Sequence, residues 1–205
     1  MMFNNLARLL FAAFAVCAAA NAAAVFNFDT DNPGTSTTFT DTSDGLSATF
    51  SSSADPGGFV LEETDFFDTL TGNVLGDPGP AGQDNLALDI SFSQDLSAIT
   101  LDFATTDFNT PSPFTLTAYE NSTPVGSNTL TGQFLPGFLF PEGEISFGGA
   151  AFNNVVLSST ATDFAVDNIQ AAPSAAPEPG TMALLGATLV ITGLPCMRRR
   201  LATNR

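Results

Sequence analysis

Acidic and amide side chains at the two ends of the central region are the residues best suited to chemistry. Asp29 and Asp31 follow the first apolar stretch, and Asp167 and Asn168 lie in the last one. Calcium takes about six to eight oxygen ligands from such groups. The first and last strands of a jelly roll often run side by side. The sequence therefore predicts one structural calcium ion bound by Asp29, Asp31 and Asp167, with Asn168 in support. The alternative is that Asp167 and Asn168 begin a turn and the other acids are solvated.

Other chemistry is limited by the residue types that the chain lacks. Between Val25 and Ala172 there is no Lys, Arg, His, Cys or Trp, and 20 of the 21 acidic residues lie there. Catalysis by His, Cys or Lys, thiolate metal sites and disulfides are therefore excluded from this region. Its 20 acids and absent bases give a formal charge of −20. That charge repels phosphate backbones and excludes nucleic-acid binding.

A two-carboxylate glycosidase is the enzyme class that these absences leave open, because it needs only a pair of acids beside a sugar. The region offers a sugar one tyrosine, Tyr119, no tryptophan and no basic donor. We therefore predict a non-enzymatic protein with no catalytic residue. The glutamates that such an enzyme would use are Glu62, Glu63, Glu120, Glu142 and Glu144.

Alternating apolar residues, typical of strands with one buried face, recur along the central region. Gly, Pro and Asn-Ser clusters separate the alternating segments. About eight short strands of this kind predict an all-β fold, an antiparallel, jelly-roll-like β-sandwich over residues 25–170. Seventeen of the 20 Phe residues fall in this domain, where they would fill the space between two sheets. The alternating sets are Phe26 and Phe28; Leu46 to Phe50; Leu86 to Phe92; Ile99 to Phe103; Phe114 to Ala118; Ile145 and Phe147; Val155 and Leu157; and Phe164 and Val166.

Exposed aromatic residues raise an alternative function for this domain, that of a carbohydrate-binding module. Tyr119, Phe138 or Phe140 would provide the platform on which a sugar stacks. Phe66 and Phe67 lie instead within an acidic cluster, which we expect to be an exposed loop or edge strand whose charges discourage aggregation. The acids of that cluster are Glu62, Glu63, Asp65 and Asp68.

Residues 1–24 are predicted to be a secretory signal peptide. Arg8 supplies the positive charge that precedes a short apolar stretch, residues 9–20. The Ala22-Ala23-Ala24 sequence then fits the small-residue pattern of a cleavage site, with cleavage after Ala24. The apolar stretch is too short for a membrane-spanning helix, which needs about 20 residues.

The C-terminal end combines a linker, an apolar segment and an arginine cluster. Residues 171–176 are small and contain proline, as in a spacer. The uncharged residues 180–197 would form about 27 Å of helix, close to the thickness of a bilayer core. We predict a transient transmembrane helix there, followed by a short tail at 201–205. The charged and proline residues that flank the helix are Pro177, Glu178, Pro179, Arg198, Arg199 and Arg200.

The Pro177-Glu178-Pro179 motif, the apolar helix and the arginine cluster resemble the PEP-CTERM sorting signal of exported proteins in Gram-negative bacteria. Residues 176–186, Ala-Pro-Glu-Pro-Gly-Thr-Met-Ala-Leu-Leu-Gly, match the usual form of that signal. The resemblance implies processing by an exosortase, a membrane protease-transpeptidase. It also implies an association with exopolysaccharide and biofilm production.

Three segments of the body, residues 84–93, 99–103 and 164–169, resemble strands of exported jelly-roll domains common among PEP-CTERM proteins. These domains in turn resemble carbohydrate-binding sandwiches, which often hold a structural calcium ion with ligands from the first and last strands. The resemblance thus implies the same ion that the acids at the two ends predict.

Together these features predict a non-enzymatic, exported surface or extracellular-matrix protein that an exosortase sorts to the cell envelope. Its acidic surface would bind anionic exopolysaccharide through bridging divalent cations. A carbohydrate-binding module is the alternative, and a two-carboxylate glycosidase is the least favoured reading.

Overall fold

The computed structural model describes residues 22–77 and 86–174, and the fold within these ranges consists of eleven strands joined by turns and loops. Every pairing between these strands is antiparallel. No helix of these residues is long and apolar enough to cross a membrane. The strands are β1 (Ala24–Phe26), β2 (Phe39–Ser43), β3 (Leu46–Ser51), β4 (Val60–Thr64), β5 (Gly72–Gly76), β6 (Ala87–Thr105), β7 (Pro113–Glu120), β8 (Thr123–Thr131), β9 (Gln133–Phe134), β10 (Pro141–Ser159) and β11 (Phe164–Pro173).

The two longest strands, β6 and β10, belong to two sheets at once. Each has 19 residues, and their pairing breaks register on both sides of Phe152. The first half of β6 and the second half of β10 lie in sheet 1, whose order is β2-β3-β6-β10-β7-β8. The other halves lie in sheet 2, ordered β4-β5-β11-β6-β10, with β1 also on β11 and β9 on β10.

The two sheets pack face to face. Phe103 pairs with Gly143 and Phe114 with Ser159, at opposite ends of β10. Sixteen residues of straight strand would separate those ends by roughly 50 Å. The two rings nevertheless stack 4.3 Å apart at an interplanar angle of 6°. The long strands therefore fold over on themselves, which confirms the predicted β-sandwich.

The core between the sheets is built from the alternating apolar residues. Gly143 makes room for the central stack, because a Cβ atom at this position would lie 3.0 Å from the Phe103 ring. Phe59 adds a contact to Phe164 at 5.1 Å that the alternation did not indicate. The largest fully buried side chains include Phe26, Phe28, Phe50, Phe59, Phe103, Phe114 and Phe152.

The structure corrects the predicted number and length of the strands. Four predicted short strands merge into β6 and β10, since a bulge interrupts the alternation without ending either strand. Strand β4 is an edge strand, one of the two alternatives predicted for the acidic cluster that contains Glu62 and Glu63, whereas strands β2, β5, β8 and β9 were not predicted. Strand β8 shows why, because most of its side chains are exposed and it lies at a sheet edge, where no apolar face is required.

The predicted boundaries also shift at both ends of the domain. Strand β11 continues to Pro173, so a linker beginning at residue 171 is wrong for its first three residues. Ala171 is buried and pairs with Ala24 and Ile99. Small side chains occur in closely packed strands as well as in spacers, so composition alone did not distinguish the two. Ala24 itself is buried in β1, and cleavage directly after it stays a prediction.

Most of the predicted targeting features lie outside the described residues. These features are the signal peptide up to residue 21, the sorting motif of Pro177, Glu178 and Pro179, the helix at 180–197, and the cluster of Arg198, Arg199 and Arg200.

Candidate functional site

Asp167, the central residue of the predicted calcium site, is fully buried in β11. Its Oδ2 accepts a hydrogen bond from the Thr71 amide at 3.2 Å, and its Oδ1 accepts one from the Asn168 amide at 2.7 Å. The pKa of Asp167 is raised to about 7, chiefly by burial and to a smaller extent by the carboxylates of Asp29 and Asp102. Because residues 25–172 contain no base, this region offers no basic partner to the buried carboxylate at the centre of the cluster.

Two of the other predicted ligands lie beside Asp167. Asp29 Oδ1 accepts a hydrogen bond from the Asn73 amide at 3.3 Å. Asn168 occupies a bulge in β11 with φ of 51°, a left-handed conformation that Asn tolerates. Its Nδ2 donates to Asp102 Oδ2 at 3.0 Å, so Asp102 is a member of the cluster that sequence reasoning missed.

The fourth predicted ligand, Asp31, has a different neighbour. Burial and then the nearby Asp41 carboxylate raise the pKa of Asp31, whereas Asp167 is influenced by Asp29 and Asp102. Among residues 22–77 and 86–174 no group of three or more Asp, Glu, His or Cys side chains is arranged to hold a metal ion. The structure thus brings Asp29, Asp167 and Asn168 together, and the calcium ion stays a prediction.

The segment between β4 and β5, residues 65–71, crosses the face of sheet 2 that points away from the core, and we call it the strap. Glu142, only 3% exposed, accepts hydrogen bonds from the Asp68 amide at 2.9 Å and from the Thr69 amide at 2.7 Å. The side chain of Leu70, a residue of the strap itself, is buried. Leu70 packs with Val74, Ala104 and Ala165.

The strap confirms part of the prediction for the acidic cluster. Asp65 and Asp68 are exposed, as expected for a solvated loop. Phe67 is instead half-buried, 5.7 Å from the Phe140 ring, and Phe140 lies 5.3 Å from Phe108. Phe140 is therefore packed on two sides by other rings and is not a free platform for a sugar.

A groove of about 500 Å³ opens on the outward face of sheet 1. Most of its lining is polar and surrounds the single tyrosine of the domain, and Phe92 and Val156 are its phenyl and aliphatic members. Its polar lining residues include Asp89, Ser91, Tyr119, Asn121, Asn153 and Asn154.

Strand register places the centre of this groove. Leu88 and Ile90 point into the core, so Asp89 and Ser91 face outward. Asn154 on β10 pairs with Ser91 on one side and with Tyr119 on the other. These three side chains form one cross-strand row.

Asp89 belongs to the adjacent row of the same face. Its partner on β10 is Val156, which in turn pairs with Thr117 on β7. With strands about 4.8 Å apart and residues about 3.3 Å apart, Asp89 lies roughly 12 Å from Tyr119 between Cα atoms.

The rim of the groove is formed by a tight turn and a bulge. Asn121 and Ser122 join β7 to β8 with φ angles of 49° and 69°, as a type I′ hairpin turn requires. The pairing of β7 with β8 breaks register beside Tyr119, which lies opposite Pro124. Proline suits such a break because it has no amide hydrogen and so cannot donate a hydrogen bond to the neighbouring strand. A bulge also changes the direction of the neighbouring side chain.

Hydrogen bonds fix the asparagine side chains of the groove. Asn154 Nδ2 donates to Ser91 Oγ at 3.0 Å and to the Ile90 carbonyl at 3.3 Å. Asn153 Oδ1 accepts from the Asn121 amide at 3.2 Å, and Asn121 Nδ2 donates to Glu120 Oε1 at 2.8 Å. The side chains are therefore held in place before any ligand binds.

Two groups in the groove have no such partner within the described part of the chain. The half-buried Asp89 carboxylate makes no hydrogen bond there, and burial raises its pKa. The Tyr119 hydroxyl also has no hydrogen-bond partner there. Both groups are free to meet a ligand.

Sequence reasoning identified one residue of this groove and missed the others. Tyr119 was identified as a candidate sugar platform because it is the only aromatic residue besides Phe. Asp89 and Asn154 lie in alternating strands whose outward residues look like ordinary solvated positions, and only the pairing of β6, β10 and β7 brings them to the same face as Tyr119.

No protein-family model matches the sequence, and no curated protein matches it either. Among solved structures, the chain is similar to the K2 cleaved adhesin domain of Lys-gingipain, with 14% identity, a TM-score of 0.49, and coverage of 73% of this chain and 99% of that one. It is also similar to a family 6 carbohydrate-binding module, with 11% identity, a TM-score of 0.39, and coverage of 75% of this chain and 95% of that one. A third similar structure is a family 11 carbohydrate-binding module from Clostridium thermocellum in complex with a β-1,3-1,4-mixed-linked tetrasaccharide. It has 13% identity and a TM-score of 0.37, and the match covers 76% of this chain and 98% of that one. These similarities do not by themselves indicate a function.

Proposed function

We propose that this is an exported, non-catalytic glycan-binding protein of the cell surface, and that the groove on sheet 1 is its sugar-binding site. The supporting observation is that one groove contains Tyr119, the neighbouring Asn154 and, in the next row, Asp89, and that the last two have unpaired acceptor groups. A sugar ring has an apolar face that stacks on an aromatic ring and a rim of hydroxyls that needs fixed polar partners. The groove combines both.

The positions of the carboxylates support a binding role without catalysis. A two-carboxylate glycosidase needs a pair of acids flanking the sugar, and the groove lining contains one, Asp89. Glu142 is occupied by the strap, and Glu120 holds the Asn121 side chain. The other candidate glutamates, Glu62, Glu63 and Glu144, are exposed on β4 and β10.

The proposed location rests on the two ends of the sequence. The signal peptide would take the chain across the inner membrane, and an exosortase would then process the tail near Pro177 and release or retain the domain at the envelope. Exopolysaccharide is the polymer that such a protein meets there. Mass spectrometry of the exported protein tests this part, because an exported chain that still carries residues 180–205 would contradict processing near Pro177.

The binding role is tested by removing the aromatic ring from the groove. We expect the full chain to bind one class on a glycan array saturably, and Tyr119→Ala to weaken that binding by at least about tenfold. Tyr119→Phe keeps the ring and should retain most of the affinity. Phe108→Ala is the matched control, because this exposed aromatic residue lies outside the groove. If Tyr119→Ala and Phe108→Ala bind as the parent chain does, the groove is not the site.

A further inference from the structure

We infer that the glycan bound by this groove is an amino-sugar polymer with free, protonated amines. The inference rests on the proposed function and names its ligand class. It follows from the hydrogen-bonding groups that the groove leaves unused. Those groups include a carboxylate and an amide oxygen, and no positive charge accompanies them.

The orientation of Asn154 determines which of its atoms meets a ligand. Its Nδ2 lies 3.3 Å from the carbonyl oxygen of Ile90, and a carbonyl can only accept a hydrogen bond. The amide nitrogen must therefore point at the protein. Asn154 Oδ1, which has no partner among the described residues, is left to accept a hydrogen bond from the ligand.

The other two asparagines use their amide donors within the protein in the same way. Asn121 Nδ2 is 2.8 Å from the carboxylate of Glu120. Asn153 accepts from a backbone amide through Oδ1, so its Nδ2 faces the Asp95 carboxylate and Asn121 Oδ1, each at 3.4 Å. The side-chain donors that remain are the second N–H of Asn121 and hydroxyls, which also accept.

Asp89 gives this acceptor-rich surface its charge. A half-buried carboxylate without a hydrogen-bonded partner has lost part of its hydration and has gained nothing from the protein in return. An ammonium group of the ligand would restore both the hydrogen bonds and the charge balance. A hydroxyl would restore only a hydrogen bond.

Both the long-range electrostatic field of the domain and the short-range contacts in the groove favour a cation over an anion. Residues 25–172 contain 20 acids and no base, so their field attracts a polycation and repels a chain of uronates. The face of Tyr119 also attracts cations. Because Asp89 and Tyr119 lie roughly 12 Å apart, a polymer can meet both residues at once through different sugar units.

The test compares four hexamers on the full-length chain by titration calorimetry: glucosamine, its fully N-acetylated form, neutral glucose and galacturonate. At a pH where the amines are protonated, we expect the glucosamine hexamer to bind at least about tenfold more tightly than the N-acetylated one. Galacturonate should not bind, with or without calcium. Asp89→Asn should remove the preference for amines and keep the Tyr119-dependent binding of neutral sugar. Glu144→Gln is the control that changes the net charge equally outside the groove.

The outcomes separate this inference from the proposed function. Tyr119-dependent binding without a preference for amines overturns the inference and leaves the glycan-binding groove intact. Calcium-dependent binding of galacturonate overturns it in favour of a cation-bridged anionic polymer. Equal binding of a lysine hexamer, independent of Tyr119, would show that the groove recognises charge and not sugar. If none of these hexamers binds, the inference fails, and the proposed function fails with it only when the glycan array also shows no Tyr119-dependent binding.

Discussion

Glu142 holds Thr69 by two groups at once. Its Oε2 accepts hydrogen bonds from the Thr69 amide at 2.7 Å and from the Thr69 hydroxyl at 2.6 Å, while Oε1 accepts from the Asp68 amide at 2.9 Å. Both oxygens of one buried carboxylate on β10 are thus used to fasten the strap, a segment that precedes it by more than 70 residues.

Replacing that carboxylate with an amide should loosen the strap. Glu142→Gln keeps the size of the side chain but turns one accepting oxygen into a donor that faces an amide hydrogen. We expect a loss of about 1–3 kcal/mol in the free energy of unfolding. Hydrogen exchange should accelerate at the Asp68 and Thr69 amides. The control is Glu144→Gln, an exposed position on the same strand, and equal exchange in the two variants would refute this role of Glu142.

Asp167 should make the domain less stable as the pH rises from about 4 to about 7. Its pKa in the folded state is raised from 3.8 to about 7, so in this window the folded protein keeps a proton that the unfolded chain has released. Stability is therefore greatest at the acidic side of the window and levels off above it. About three pH units at about 1.4 kcal/mol each set an upper limit of about 4 kcal/mol. Urea unfolding across this pH range measures the slope.

The same experiment on variants assigns the slope to its source. Asp167→Asn removes the titrating group and should flatten the pH dependence, although it also removes one of the two oxygens that accept amide hydrogens. Asp65→Asn removes an equal charge at an exposed position of the strap. A slope that is unchanged in Asp167→Asn would mean that other acids cause it. Asp31, Asp89 and Asp102 act in the same direction, since burial raises their pKa values as well.

Gly72 should tolerate no side chain. Its φ is +74°, and a Cβ atom would overlap Asp29 Oδ1, which accepts a hydrogen bond from the next residue. Gly137, with φ of +96° and open space around it, is the matched control for the backbone conformation alone. We expect Gly137→Ala to cost about 1–2 kcal/mol and Gly72→Ala at least about 1 kcal/mol more. Equal losses in chemical denaturation would show that Asp29 moves aside freely.

Alternation along the chain predicted the buried face of the sandwich well. Phe103, Phe114 and Val166 were placed in the core from their spacing alone, and all three are fully buried. A strand with one face in water must alternate with a period of two, so the pattern is local and readable. Strand β8 escaped this reading because an exposed edge imposes no pattern.

The amino-acid sequence by itself determined the class of the fold, the core side chains and the exclusion of His, Cys or Lys chemistry, because each of these depends on residue type and near neighbours. Only the tertiary structure decided which polar residues meet. It set Asp167 beside Asp29 and Asp102 but Asp31 beside Asp41, and it brought Asp89 and Tyr119 to one groove. Such meetings depend on strand order and register across long sequence separations. A shift of one residue would turn every side chain of a strand to the other face.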